Sequence, residues 1–232
     1  MKKLLCVFSL LVLFAACNKE NKPVDEGKST NETAQSNTIT AKRYEVKSGI
    51  ITYEIENNMM QGKMTQILYF DDYGAKESRE TITEMKMMGQ SIKSHKINFN
   101  KDGYMYDLDL EKKTGGKMKG LLPQGMEVDI NKLSEEMKKE YNMKKIGTEN
   151  ILGKECDVNS MDYAKMNMKG TVSLWQGLTL KSDIDMGKIK VKTVATKFEE
   201  NVSVPASKFE VPSDFTIEDM DAKMQEFQKG EK

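Results

Sequence analysis

Residues 91–108 read SIKSHKINFNKDGYMYDL, and the fold of the chain turns on them. From Ile92 to Phe99 the side chains alternate with a period of two, so His95, Ile97 and Phe99 share one face of an extended strand. Asn100-Lys101-Asp102-Gly103 follows, with an Asp-Gly pair suited to the positive φ angles of a tight hairpin. Alternation then resumes in Tyr104-Met105-Tyr106-Asp107-Leu108. A four-residue connection can join only antiparallel neighbours, because a parallel crossover needs a dozen residues or more.

The same grammar extends outward. On the N-terminal side Ile51, Tyr53 and Ile55 alternate with Thr52, Glu54 and Glu56. After a turn at 57–62, Met64, Gln66, Leu68 and Phe70 form a second strand. Asp71-Asp72-Tyr73-Gly74 makes another turn. A strand through Thr81, Thr83, Met85 and Met87 follows and closes at Gly89. On the C-terminal side the period changes. Asp129 or Asn131 can cap a helix with Ile130, Leu133, Met137 and Tyr141 on one face. Strands resume at 147–151, 155–160, 171–175, 178–186 and 188–198. After the capping region Ser213-Asp214, Ile217, Met220, Met224 and Phe227 recur at helical spacing. These signals predict a mainly β (α+β) domain over 43–228. Its strongly curved antiparallel sheet, an incomplete β-barrel, is covered by one or two helices near 130–141 and 216–227.

The N-terminus predicts export. Met1-Lys2-Lys3 precedes a 13-residue apolar run, Leu4 to Ala16, which is too short for the roughly 20 residues of a membrane span and fits a signal-peptide core. The run ends in Leu13-Phe14-Ala15-Ala16-Cys17, which resembles the lipobox of bacterial lipoproteins. That resemblance implies removal of 1–16 and acylation of Cys17 as a membrane anchor; two or three acyl chains hold a protein firmly where one does not. Asn18, in place of Asp, points to outer-membrane delivery in a Gram-negative envelope, facing the periplasm or the surface. Residues 17–42 then form a lipidated cysteine and a disordered tether. Across 18–41 there is no aromatic residue and almost nothing apolar, so little could be buried on ordering. The spacer would span about 25–30 Å.

Composition narrows the function classes. The 36 basic and 36 acidic residues balance, giving no long-range attraction to nucleic acid. Of the three cysteines, Cys6 leaves with the signal peptide and Cys17 is acylated. Cys156 then stands alone, so the fold rests on packing without an internal disulfide. A monomer is expected, and no cofactor is implied.

Three blocks of the C-terminal half carry a family resemblance. Gly147-Thr148-Glu149-Asn150-Ile151-Leu152-Gly153-Lys154-Glu155-Cys156 reads as strand, glycine turn, strand. Trp175 precedes Gly177-Leu178-Thr179-Leu180-Lys181. Residues 201–212, NVSVPASKFEVP, close the series. This order resembles bacterial lipoprotein and periplasmic domains of the LolA/LolB outer-membrane lipoprotein-carrier superfamily. It implies a curved open sheet whose apolar concavity receives acyl chains. No residue role of that family transfers singly.

Methionine is the unusual component, at 18 of 232 residues, in clusters Met59/Met60/Met64, Met85/Met87/Met88 and Met161/Met166/Met168. If extended, Met85 with Met87 and Met166 with Met168 would each share a strand face. Thioethers make an adaptable lining for a variable apolar ligand; they are also soft Cu(I) ligands, or they simply fill core. Met85, Met87, Met166, Met168, Trp175 and Leu178 are therefore the candidate ligand-binding residues. No catalytic motif and no metal site is recognised. His95 reads as structural and Cys156 as a small buried hydrophobe. Gly115-Gly116, within 111–120, reads as a flexible basic loop with Lys112, Lys113, Lys117 and Lys119. The function expected is non-catalytic binding of an apolar or lipidic ligand. The alternatives are a Met-rich periplasmic Cu(I) handler, or a structural or protein-interaction lipoprotein whose concavity is filled by its own side chains.

Overall fold

The computed structural model describes residues 42–59, 61–87, 90–119, 135 and 138–230. The side chains of 61, 85–87, 90, 92 and 227–230 lie outside the described set. The signal peptide, Cys17 and the tether lie outside it as well.

Twelve strands form one sheet: β1 Gly49–Asn57, β2 Gln61–Asp71, β3 Lys76–Met87, β4 Gln90–Lys101, β5 Tyr104–Asp109, β6 Thr114–Lys119, β7 Lys144–Ile151, β8 Lys154–Tyr163, β9 Met168–Trp175, β10 Leu178–Asp185, β11 Lys190–Glu200 and β12 Thr216–Asp219. The order across it is β12-β6-β5-β4-β3-β2-β1-β11-β10-β9-β8-β7. The antiparallel pairing of β1 with β11 joins the strands β1–β6 and β7–β11 into one sheet. It curves but does not close, since β12 and β7 remain its two edges. This is the curved, open sheet that the resemblance implied.

Between β1 and β6 every antiparallel pair keeps an unbroken register, which assigns each side chain to one of two faces. On the first face lie Ile51, Tyr53 and Ile55 of β1, then Met64, Gln66, Leu68 and Phe70 of β2. That face continues through Glu77, Arg79, Thr81 and Thr83 of β3 and Ser94, Lys96 and Asn98 of β4. On the second lie Tyr69, Ser78, Glu80, His95, Ile97, Phe99, Tyr106 and Leu108. The apolar face therefore changes sides between β2 and β4, and so does the core.

The larger core sits on the first face: Tyr44, Val46, Ile51, Tyr53, Leu68 and Phe70, joined by Ile151, Cys156, Leu178, Leu180 and Ala195. Tyr53 lies over its small cross-strand partner Ala195, and its hydroxyl donates to the Thr179 carbonyl on the next strand but one, at 2.9 Å. Each fully buried aliphatic or aromatic side chain here contributes about 1.5–3 kcal/mol. The smaller core, Ile97, Phe99 and Leu108, lies on the second face and is capped by Val211, Phe215 and Ile217. Those three belong to the connection and short strand that follow β11, which cross the sheet to reach β12.

Three sequence expectations are corrected. Ile217 is not on a helix: residues 216–219 form β12, which pairs parallel with β6, and the helix α1 begins only at Met220 (Met220–Gly230). The helix lies against β6, where a Cβ on Gly116 would come 3.0 Å from Met220 Cγ. Met220 and Met224 are exposed, so those two do not supply the apolar cover expected of this segment. Gly115 and Gly116 are not a flexible loop either, but the second and third residues of β6. A side chain at Gly115 would meet Leu108 Cδ2 at 2.5 Å; the glycine lets β6 close over the smaller core. The caps and most of the apolar positions expected of the 130–141 helix lie outside the described residues, while 135 and 138–140 are helical and Tyr141 is buried.

Candidate functional site

The register distributes the methionines unevenly along the sheet. The connections β1–β2, β3–β4, β8–β9 and β10–β11 all lie at one end of the strands, because Asn57 pairs with Val191, Gln61 with Lys86 and Asp185 with Lys169. These connections or their flanking residues contain Met59, Met87, Met166, Met168 and Met186. The connections at the opposite end, 72–75, 102–103, 152–153 and 176–177, contain none. The β5–β6 connection, also without Met, stops level with Lys96.

At the Met-free end the larger core is fully packed. Leu178 and Leu180 are completely buried, and Trp175 packs edge-on against Phe198 at 5.8 Å. At the Met end a continuous row of cross-strand pairs runs over the sheet: Met64 opposite Ile55, Ile55 opposite Thr193, then Val191 opposite Ile184, Ile184 opposite Gly170 and Gly170 opposite Met161; on β8 and β9 its members stand five positions from the core residues Cys156 and Trp175, and so on the other side of those two strands. Apart from the glycine and the threonine these are apolar, and all are only half-buried. Met168 sits diagonally from Met161 on that face, since it pairs with Tyr163. Gly170 has a backbone reason: a Cβ there would lie 2.0 Å from the Asp183 carbonyl oxygen.

The six residues singled out from sequence therefore do not form one site. Trp175 and Leu178 belong to the filled end, where Lys154 Nζ also rests 4.4 Å above the Trp175 ring. Met166 is not on a strand with Met168; it ends a 3-10 turn (Ala164–Met166) and is exposed. Residues 85 and 87 are on β3, and the expectation for their side chains lies outside the described residues. Sequence reading named Met64 and Met161 only as cluster members and missed Ile55, Ile184 and Val191. No local signal marks them, because the row exists only through pairing across six strands.

Two polar clusters border these surfaces. On the first face, beside the filled core, Glu77 accepts from the Tyr44 hydroxyl (2.5 Å) and from Arg79 Nη2 (2.6 Å), with Arg43 Nη1 at 3.1 Å. Burial by itself would raise the Glu77 carboxyl; the Arg79 and Arg43 charges override it and hold the group below its ordinary range. On the second face Glu80 accepts from Tyr69 (2.8 Å) and Lys208 (2.6 Å), and His95 Nε2 lies 2.5 Å away. Burial again pushes the carboxyl up, and the bonds from Lys208, His95 and Tyr69 outweigh it, so Glu80 also titrates low. Lys208 comes from the connection crossing the sheet, so this cluster pins that connection down.

Cys156 is fully buried, and burial, reinforced by the Glu149 charge, raises its thiol. The basic residues around Gly115 are paired: Lys112 with Asp109, Lys113 with Asp214 and Lys117 with Asp219. Two shallow depressions on the sheet surface, of 590 and 310 Å³, share Asp183 and are lined mainly by polar side chains. Among the described residues no group of three or more His, Cys, Asp or Glu side chains is placed to hold a metal ion, and no helix is long and apolar enough to cross a membrane.

No protein-family model matches the chain, and no curated protein sequence matches it. Solved structures do. An uncharacterised conserved protein from Thermus thermophilus superposes with a TM-score of 0.49 at 8% identity, over 78% of this chain and 94% of the other. The Pseudomonas aeruginosa MucA/MucB complex gives 0.46 at 12%, over 77% of this chain and 60% of the matched one. A domain from Vibrio parahaemolyticus described as an outer membrane lipoprotein-sorting protein gives 0.34 at 13%, over 72% and 92%. This chain thus spans about 60% of the matched chain in the MucA/MucB complex. At these values no residue role, ligand or partner is carried over.

Proposed function

We propose that the protein is a lipid-anchored envelope protein that binds an apolar or lipidic ligand without catalysing a reaction. Acylated Cys17 would hold it at the outer membrane of a Gram-negative cell, and residues 18–41 would set its reach. One observation carries the binding assignment. The sheet is packed to completion at one end, while at the other a row of cross-strand neighbours, Met64, Ile55, Val191, Ile184 and Met161, is half-buried and in register. A protein whose concavity served only as core would fill both ends alike. Thioether side chains re-pack around ligands of differing shape, and each buried CH₂ of an acyl chain contributes about 0.8 kcal/mol.

Native mass spectrometry on protein gently extracted from its own membrane tests the assignment. Bound lipid should ride with the wild-type chain and be lost from a Met64→Glu/Met161→Glu variant that keeps its fold. Wild-type protein that is consistently empty, and stays so on incubation with phospholipid vesicles, contradicts it. Digestion and mass analysis of the same preparation should find diacylglycerol and an amide-linked acyl chain on Cys17.

A further inference from the structure

We infer that Arg79 and Lys96 receive the oxyanion headgroup of an amphiphile whose apolar part lies along the Met64–Met161 row, an inference that rests on the binding assignment above. Arg79 pairs with Asn98, Asn98 neighbours Lys96 two residues away on the same face, and Lys96 pairs with Thr81. The two cations are thus diagonal neighbours, roughly 7 Å apart at their backbones. Thr81 pairs with Gln66, and Met64 follows Gln66 on the same face. The charged pair therefore stands beside the β2 end of the apolar row, and one ligand can cover both.

The donors are there to be used. A guanidinium carries five N–H groups. Among the described residues Arg79 gives Nε and one Nη2 hydrogen to Glu77 at 3.0 and 2.6 Å, and one Nη1 hydrogen to Gln66 at 3.4 Å. Two N–H groups remain on a side chain that is 38% exposed. Lys96 is 36% exposed and its bond to Asp107 is long, at 3.7 Å. Around this point Arg43, Arg79, Lys96 and Lys112 face the carboxylates Glu77, Asp107 and Asp109, four cations against three anions. Glu77 holds the guanidinium plane in place, which pre-pays the ordering of a forked donor aimed at a carboxylate or phosphate. A neutral lipid would leave these cations without a new partner.

The test compares palmitic acid, palmitoyl-lysophosphatidic acid and hexadecanol as displacers of a bound fluorescent fatty acid, on wild-type protein and on Arg79→Gln, Arg79→Lys and Lys96→Gln variants. The inference expects both anionic amphiphiles to bind wild type about tenfold or more tightly than hexadecanol. Arg79→Gln should erase that preference, Arg79→Lys should restore part of it, and hexadecanol should bind all four proteins alike. The anion with the larger preference identifies the headgroup as carboxylate or phosphate. Equal affinity of wild type for all three overturns this inference while leaving the apolar site standing. A parallel loss of hexadecanol and fatty acid in Arg79→Gln also overturns it, by showing a purely structural arginine. Binding of none of the three by wild type removes the apolar site itself, and this inference with it.

Discussion

At the scale of single residues, two buried carboxylates do most to tie unlike parts of the chain together. Glu80 joins β3 to β2 through Tyr69, to β4 through His95 and to the crossing connection through Lys208. Glu80→Ala would leave Lys208 and Tyr69 without their acceptor and should cost about 2–4 kcal/mol; full burial would give the upper figure, and the partial exposure of Lys208 brings it down. Urea unfolding of the variant measures it. The sign of the pH effect follows from the same bonds. Glu77 and Glu80 both have carboxyls held below their ordinary value of 4.5. Their stabilisation is therefore complete above about pH 4.5 and is lost as pH falls through the lower folded values. The urea midpoint should stay level with pH in the neutral range and drop below pH 4.5, and Glu80→Gln should flatten part of that drop. Very little of this was legible in sequence. His95 was legible as lying on the Ile97–Phe99 face, but its partner Glu80 is fifteen residues away and becomes a neighbour only by register.

At the scale of elements, alternation and turn chemistry revealed the strands, and they did so because both are local. Asp102 and Gly103 take the positive φ angles their residue types suggest, and β4 and β5 flank them as expected. The errors fall where a non-local partner decides. Residues 216–219 have only four positions, too few for a period to show, and their strand exists because β6 offers a parallel edge. Gly115 and Gly116 look like a loop until Leu108 is placed beneath the first of them. Gly170 makes the sharpest test at this scale. Gly170→Ala forces a methyl to within 2.0 Å of the Asp183 carbonyl, so β9 and β10 must part locally. A loss of about 3 kcal/mol is expected, with hydrogen exchange accelerating first in β9 and β10. Gly147→Ala, where nothing lies within 4 Å of the added Cβ, should be near neutral by the same measurement.

At the scale of the molecule, the sheet divides its labour by end and by face. The apolar cover changes sides between β2 and β4, so one sheet supports two cores. The end of the sheet near Trp175 and Leu178 is spent on stability. Leu178→Ala should cost about 2–5 kcal/mol there without altering ligand affinity. The end ringed by methionines is left half-open for binding. The sequence displayed the methionine excess, yet could not say that the connections bearing it meet at one end. The strand order places β8–β11 beside β1, more than a hundred residues away in the chain. The most direct test is a titration of protein carrying ¹³C-methyl-labelled methionine with a phospholipid or fatty acid, followed by NMR. The account predicts that the methyl signals of Met64, Met161 and Met168 move together and saturably while those of Met220 and Met224 stay fixed. Stationary signals at Met64, Met161 and Met168, or shifts confined to the exposed methionines of α1, would contradict it.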